Sequence, residues 1–326
     1  MKRWLAGNWF IVALPGAVGL AFAFPAPGAP GGWLYPEMST KAAIALIFLL
    51  QGVTLALGSL REGLFRWRLH VLVQGFTYIV FPLLGIALDR LVGQWLPAEL
   101  RWGFLFLAVL PTTVSTAIVL TALAGGNAAG ALLNATLSNV LGVVVTPLWI
   151  GLLLEVRGEP VPVLPLMREL ALLIVLPLAA GQALRRFVRR RFGGRSGWES
   201  VANRSLVLFI VYAAFCDSVR SGVFVEHGWS PALVAGGGAV LFLALMMLLT
   251  IAAARLLRLR PADRIAAVFC APQKTLASGA PMAKLIFAAD PGLGLILLPV
   301  MFYHPLQLLV GGVLVNVIKA RNHHDR

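Results

Sequence analysis

Two short stretches place a proline and a run of polar side chains inside otherwise apolar sequence. One is Leu110-Pro111-Thr112-Thr113-Val114-Ser115-Thr116, the other Ala271-Pro272-Gln273-Lys274-Thr275-Leu276-Ala277-Ser278, with the prolines 161 residues apart. Proline lacks an amide hydrogen and clashes with the turn before it. The residue preceding it avoids helical geometry. Backbone groups freed in hydrocarbon must find partners in protein or in a water-filled cavity. Paired breaks of this kind are the sequence pointer to the binding site of a secondary transporter. The side chains at these breaks suit ion and substrate binding rather than bond making: Thr112, Thr113, Ser115 and Thr116 at the first, Gln273, Lys274 and Thr275 at the second. The alternative is a pair of ordinary proline kinks satisfied by Ser and Thr. Catalytic sets are absent: there is no H-E-x-x-H, no G-x-S-x-G and no pair of acids at membrane depth, so the chain is not read as an enzyme. No G-x-x-x-x-G-K-[ST] occurs either, which excludes ATP-driven transport by this chain alone.

The elements that carry these breaks follow from composition. Of 326 residues, 59% are apolar and 12% charged, and the mean hydropathy is +0.87. A soluble domain is about one-quarter charged. The chain is therefore expected to be an all-α integral membrane protein. With a ruler of about 20 residues per span, ten segments emerge: 7–24, 41–58, 69–89, 102–126, 128–153, 167–184, 203–221, 231–253, 265–287 and 293–317. They lack the strict alternation of outer-membrane strands. The two breaks fall in segments four and nine.

The net charge of +14 then needs an address. With a cytoplasmic N-terminus, one side collects 19 of the 27 basic residues, including Arg61, Arg66, Arg68, the Arg185–Arg195 run, Arg204, Arg255–Arg264 and Lys319, with four acids. This fits the positive-inside rule with both termini cytoplasmic, in the inner membrane of a bacterium. Lipid or nucleic-acid binding by the Arg185–Arg195 run is the alternative. Aromatic interleaving there is thin, so no nucleic-acid partner is expected. The basic, apolar N-terminus could also be a cleaved signal peptide, but a repeat argues that it is kept as the first span. Leu14-Pro15-Gly16-Ala17-Val18-Gly19-Leu20-Ala21 matches Leu176-Pro177-Leu178-Ala179-Ala180-Gly181-Gln182-Ala183 at five of eight positions, offset by 162 residues. Five spans per half give halves of opposite orientation. The expected organisation is two inverted five-helix repeats, 1–160 and 161–326, with helices four and nine broken.

These motifs resemble the bile acid:sodium symporter family, most closely its divergent bacterial branch, which also has a eukaryotic member. The marks are Val73-Gln74-Gly75-Phe76-Thr77, Leu110–Ser115, Gly126-Asn127, Asn134-Ala135-Thr136-Leu137-Ser138, Thr146-Pro147-Leu148, Phe215-Cys216-Asp217-Ser218 and Gln273–Gly279. The resemblance implies a core domain with two crossing broken helices and a panel domain that moves against it. It implies symport of a small organic anion with sodium or protons, no cofactor beyond a sodium ion, and the lipid bilayer as partner. It carries over Ser115, Thr116, Asn134 and Gln273 as sodium ligands, with Thr136 among the polar ligands. Better-known members have a Glu before the second break; here the stretch is Val268-Phe269-Cys270-Ala271, and Lys274 sits in the break instead. Two roles are open for Lys274. Its ammonium could stand in for a sodium ion and bond the hydroxyls of span four, or it could satisfy carbonyls exposed at the break. A regulatory or channel-like protein without coupled transport is the alternative function.

Other polar residues at depth carry weaker signals. Gln74, Thr77 and Gln51 could line the crossing, and for Gln51 a helix–helix hydrogen bond is favoured. His304 could titrate or be structural. Asp217 could be a cation relay or pair with Arg220 three residues on, and the pair is favoured. Trp149 is read as packing.

Overall fold

The computed structural model describes residues 2–54, 66–156, 168, 171–192, 198–222, 224–225, 228–287 and 290–324. Arg61, Arg195 and the expected repeat boundary at 160/161 lie outside the described residues. The described residues form helices and connecting turns, with no strand among them. In chain order the helices are α1 Lys2–Ala23, α2 Pro36–Thr54, α3 Trp67–Trp95, α4 Ala98–Val109, α5 Ser115–Leu123 and α6 Ala128–Val156. There follow α7 Leu176–Phe192, α8 Trp198–Arg220, α9 Ser230–Leu256, α10 Pro261–Cys270, α11 Leu276–Ile286 and α12 Leu293–His324. Five of them (α3, α6, α8, α9 and α12) are long and apolar enough to cross a membrane. α1 adds a shorter apolar stretch, Val12–Ala23.

Segments four and nine each form two short helices rather than one. α4 and α5 have 12 and 9 residues, α10 and α11 have 10 and 11. At about 1.5 Å per residue, only both halves together match a hydrocarbon core of roughly 30 Å. The first break follows from Pro111: Leu110 before it is extended, at φ −68° and ψ 151°. At the second, Ala271 before Pro272 keeps helical angles, φ −66° and ψ −44°, and Thr275 before α11 is extended, φ −96° and ψ 122°.

α3 carries a wider turn, a π-helix over Phe76–Val80. Its cause is Pro82, which has no amide to offer the preceding turn. The Phe81 amide reaches back five residues to Phe76 O, so the carbonyls of Thr77 and Tyr78 lose their helical donors. Both are used from elsewhere in the fold.

Packing relies on small residues where backbones meet. α2 and α7 touch through Gly52 and Gly181: a Cβ on Gly52 would lie 2.1 Å from Leu178 O, and one on Gly181 2.0 Å from Leu49 O. Such close approach is characteristic of helix pairs in lipid. α1 packs on α8 and α7 on α2. The main apolar core runs between α4, α8, α9, α11 and α12, with Phe81, Phe104 and Phe242 stacked inside it. Cys216 and Cys270 are buried free thiols. No Asp217–Arg220 ion pair forms among the described residues; helical spacing alone did not bring the two charges together.

Candidate functional site

The two breaks meet. The Thr275 amide donates to Pro111 O at 3.0 Å, a backbone bond between the extended segments. Around that contact, each carbonyl from Leu107 to Thr112 has a donor. Leu107 O accepts the Leu110 amide at 3.4 Å. Ala108 O and Leu110 O accept the Lys274 ammonium at 2.9 and 2.7 Å. Val109 O accepts Thr146 Oγ1 at 2.7 Å and Thr112 O accepts Asn139 Nδ2 at 2.8 Å. On the second break, Cys270 O accepts Thr112 Oγ1 at 2.6 Å and Pro272 O accepts Tyr303 Oη at 2.5 Å. Gln307 acts there as a surrogate peptide: its Oε1 accepts the Lys274 amide and its Nε2 donates to Lys274 O, both at 2.8 Å. Buried backbone polar groups demand such closure.

Lys274 is fully buried. Its Nζ makes a third bond, to Thr77 O at 3.1 Å, and lies 4.2 Å from the centre of the Phe81 ring. An ammonium has three hydrogens, and three carbonyls receive them. Thr77 O is free because of the π-turn, and the other two carbonyls belong to the C-terminal end of α4, where the helix dipole is negative. The ammonium thus bonds carbonyls. The hydroxyls of span four, expected as its partners in one of the two roles, go elsewhere: Thr112 to Cys270 O, Thr113 and Thr116 to Gln273.

The other sequence-derived residues divide into groups. Thr113, Thr116 and Gln273 form one cluster, with both hydroxyls donating to Gln273 Oε1 and 2.6 Å apart from each other. Of the four residues carried over for sodium, the hydrogen bonds join Thr116 and Gln273. Asn134 bonds Gly130 O and receives Gln74 Nε2 on its carbonyl at 3.0 Å, so Gln74 and Asn134 form a pair of their own. Ser115 is exposed and lines a cavity. Thr77 Oγ1 bonds Val73 O within its own helix, and its part at the crossing is played by the main-chain carbonyl. His304 Nδ1 lies 3.3 Å from Lys274 O and 3.1 Å from Gln307 Nε2. Gln51 makes a helix–helix contact, with Nε2 3.3 Å from Ser278 Oγ. Trp149 donates from Nε1 to Tyr78 O at 2.9 Å, taking the second carbonyl freed by Pro82.

Sequence reasoning gave no site role to Ser138, Asn139, Thr146, Tyr303 or Gln307, although Ser138 and Thr146 stood among the marks of the resemblance. The first three recur on α6 as isolated polar residues in an apolar helix, and Gln307 follows His304 by one turn, so a signal existed.

The amides tell the opposite story from the carbonyls. In α5 the first amide that bonds a backbone acceptor outside the helix is that of Ile118, and in α11 it is that of Gly279. Neither helix has a side-chain cap. The amides of Ser115, Thr116 and Ala117, and of Leu276, Ala277 and Ser278, make no hydrogen bond among the described residues. Both helix starts border one cavity of about 660 Å³. Its polar lining includes Thr113, Thr136, Ser278 and Arg204, and no Asp or Glu is present among the lining residues. Thr136 Oγ1 is buried there without a partner. The remaining wall is largely aliphatic, with Leu132, Val140, Leu178 and Leu308. The cavity thus combines the positive ends of two helices, one guanidinium and an apolar wall.

Comparison with known proteins adds to this geometry. The model of the SBF-like CPA transporter family matches residues 8–320. The uncharacterized protein PA2026 of Pseudomonas aeruginosa is 37% identical over 312 residues, covering 96% of this chain and 92% of that one. Sodium/bile acid cotransporter 7 of Rattus norvegicus is 33% identical over 320 residues, covering 96% and 93%. The Mus musculus protein of the same name is 34% identical over 320 residues, with the same coverage.

Proposed function

The chain belongs to the SBF-like CPA transporter family, a multi-pass membrane transporter and not an enzyme, and from that premise we propose that it is a secondary active transporter. In this reading it moves an amphipathic organic anion by alternating access, driven by a cation gradient. One observation carries the reading: at the crossing the carbonyl ends of the half-helices are filled by side-chain donors, whereas both amide ends open into one cavity without carboxylates. A site that leaves amides free and carbonyls filled selects negative charge.

The contact pattern supports two inverted five-helix repeats, 1–160 and 161–326. Shifting by the repeat offset turns α1 on α8 into α7 on α2, α4 on α12 into α10 on α6, and α3 on α4 into α9 on α10. Each of these pairs is in contact. The positive-inside reading has both termini in the cytoplasm of a bacterial cell and turns the cavity, which Arg204 of α8 borders, toward that side.

The two mammalian relatives are named for sodium and bile acid. The coupling ion in this chain is sodium or a proton. The Thr113, Thr116 and Gln273 oxygens are the cluster left to receive it, since Lys274 occupies the carbonyls of α4. Hydroxyl and amide oxygens ligate a hard cation but do not take a proton near neutral pH, which favours sodium. Uptake of cholate and octanoate into proteoliposomes under separately imposed sodium and proton gradients is the test. Accumulation driven by an inward sodium gradient is expected. Accumulation driven by a proton gradient alone would reverse the choice of ion, and no accumulation of either anion would remove the transport reading.

A further inference from the structure

Arg204 entered the sequence reading only as one of many basic residues that set orientation. The structure gives it a different setting. It lies on α8 and borders the cavity, half-buried, with Cζ 5.9 Å from the centre of the Phe10 ring. No carboxylate pairs with it among the described residues. Ser200 and Asn203 border the same cavity, four residues and one residue before it. Positions 200, 203 and 204 share one helix face. Asn203 Oδ1 is buried and has no partner among the described residues. The starts of α5 and α11, with their free amides, and the unpartnered hydroxyl of Thr136 border the same cavity.

A half-buried guanidinium without a counter-ion is costly unless something negative visits it. Orientation does not require that cost, because an arginine elsewhere on the basic side would vote equally. A guanidinium also presents paired donors that match two oxygens of an oxyanion.

We infer that Arg204, supported by the Ser200 hydroxyl and the side-chain amide hydrogens of Asn203, is the counter-charge that selects an organic oxyanion, such as a carboxylate, in the cavity. The inference rests on the transport reading above and adds the residue on which charge selection turns. The apolar body of the ligand lies along the aliphatic wall, and its charged group is shared between Arg204 and the amide ends of the half-helices.

Two probe pairs test this on the full-length purified protein: octanoate against octanamide, and cholate against cholamide. Each pair keeps the apolar body and removes the charge. Binding is read by thermal shift and calorimetry, and uptake by KM and maximal rate in proteoliposomes. The wild type should prefer each anion over its amide. Arg204→Gln should weaken anion binding roughly 30–100-fold, the loss expected for a charge-assisted paired bond, and leave amide binding within about twofold, so that the preference collapses. Arg204→Lys should keep the charge and lose the fork, falling between the two. A residue that only sets orientation or fold would not move the anion-to-amide ratio. Anion binding by Arg204→Gln within about twofold of the wild type overturns the inference. Arg204-dependent binding without uptake under any gradient supports the anchor and removes the transport reading. Failure of both anions to bind the wild type overturns both.

Discussion

Replacing Lys274 by methionine isolates what the buried ammonium does at the crossing. The substitution is close to volume-conserving, so little cavity cost enters. It removes three hydrogen bonds, at 2.7, 2.9 and 3.1 Å, and leaves Leu110 O, Ala108 O and Thr77 O without donors in a fully buried setting. Each orphaned acceptor costs about 1–3 kcal/mol. Against this stands the relief of no longer burying a charge, several kcal/mol on its own. The net loss is about 2–5 kcal/mol. For a chain of 326 residues 1 kcal/mol lowers the melting temperature by roughly 1–2 °C, so Lys274→Met should unfold about 2–10 °C below wild type in detergent. Lys274→Gln retains two donors on a shorter stem and should lose about half as much. Lys274→Arg forces a larger group into a sealed site and should also destabilise. The assay is thermal unfolding followed by intrinsic tryptophan fluorescence, with sodium present and absent. If the site served only to be filled, Met would be tolerated and Gln would fail. A melting temperature for Lys274→Met within 1 °C of wild type would refute the donor argument.

Further outcomes follow from the same geometry. Gly52→Ala and Gly181→Ala should each destabilise by about 1–3 kcal/mol, because the added methyl meets a backbone carbonyl at 2.1 or 2.0 Å; loss of melting temperature in detergent measures it. Gln307→Leu removes both bonds to the Lys274 backbone and should cost about 2–4 kcal/mol, with Gln307→Glu keeping the acceptor and losing less; the ranking of melting temperatures decides. Thr136→Val should leave the unliganded protein as stable as wild type or about 1 kcal/mol more stable, since its hydroxyl has no partner, while calorimetry should show weaker octanoate binding.

The breaks were legible in the sequence because proline inside an apolar segment has few outlets. The polar set on Thr112, Thr113, Thr116, Gln273 and Lys274 came from the same pattern, whereas the meeting of the breaks was implied by the family resemblance and the helix–helix bond of Gln51 by a lone polar residue in an apolar span. What the side chains bond was less legible. Lys274 was expected either at hydroxyls or at carbonyls, and the deciding fact was a proline 192 residues earlier: Pro82 opens the π-turn that frees Thr77 O. No local rule links positions so distant. Arg204 was hidden by company, since one arginine among many on the basic side looks like orientation until a cavity is seen beside it. The Asp217–Arg220 pair failed for the converse reason: helical spacing permits a contact and does not compel it.

The filled carbonyls also bear on what position 274 can hold. An acid there would set its oxygens against three carbonyl oxygens now bonded to Nζ at 2.7–3.1 Å. Like partial charges at that distance in a low dielectric repel strongly, so Lys274→Glu should lose more stability than Lys274→Met despite retaining polarity. A fold that must place a cation at those carbonyls has two ways to do so: bind one from solution or carry one on its own chain. A bound ion can leave, and its departure can be tied to a gradient. A tethered ammonium cannot, so the cation at this end of α4 is permanent and contributes no coupling. Whatever gradient drives the cycle must act through other oxygens, and the Thr113–Thr116–Gln273 cluster adjoins the open amides of α5. That arrangement puts the coupling event next to the anion rather than behind it. Thr116→Val should consequently impair gradient-driven accumulation while leaving the anion-to-amide preference set by Arg204 intact, and loss of both together would show that coupling and charge selection are one site.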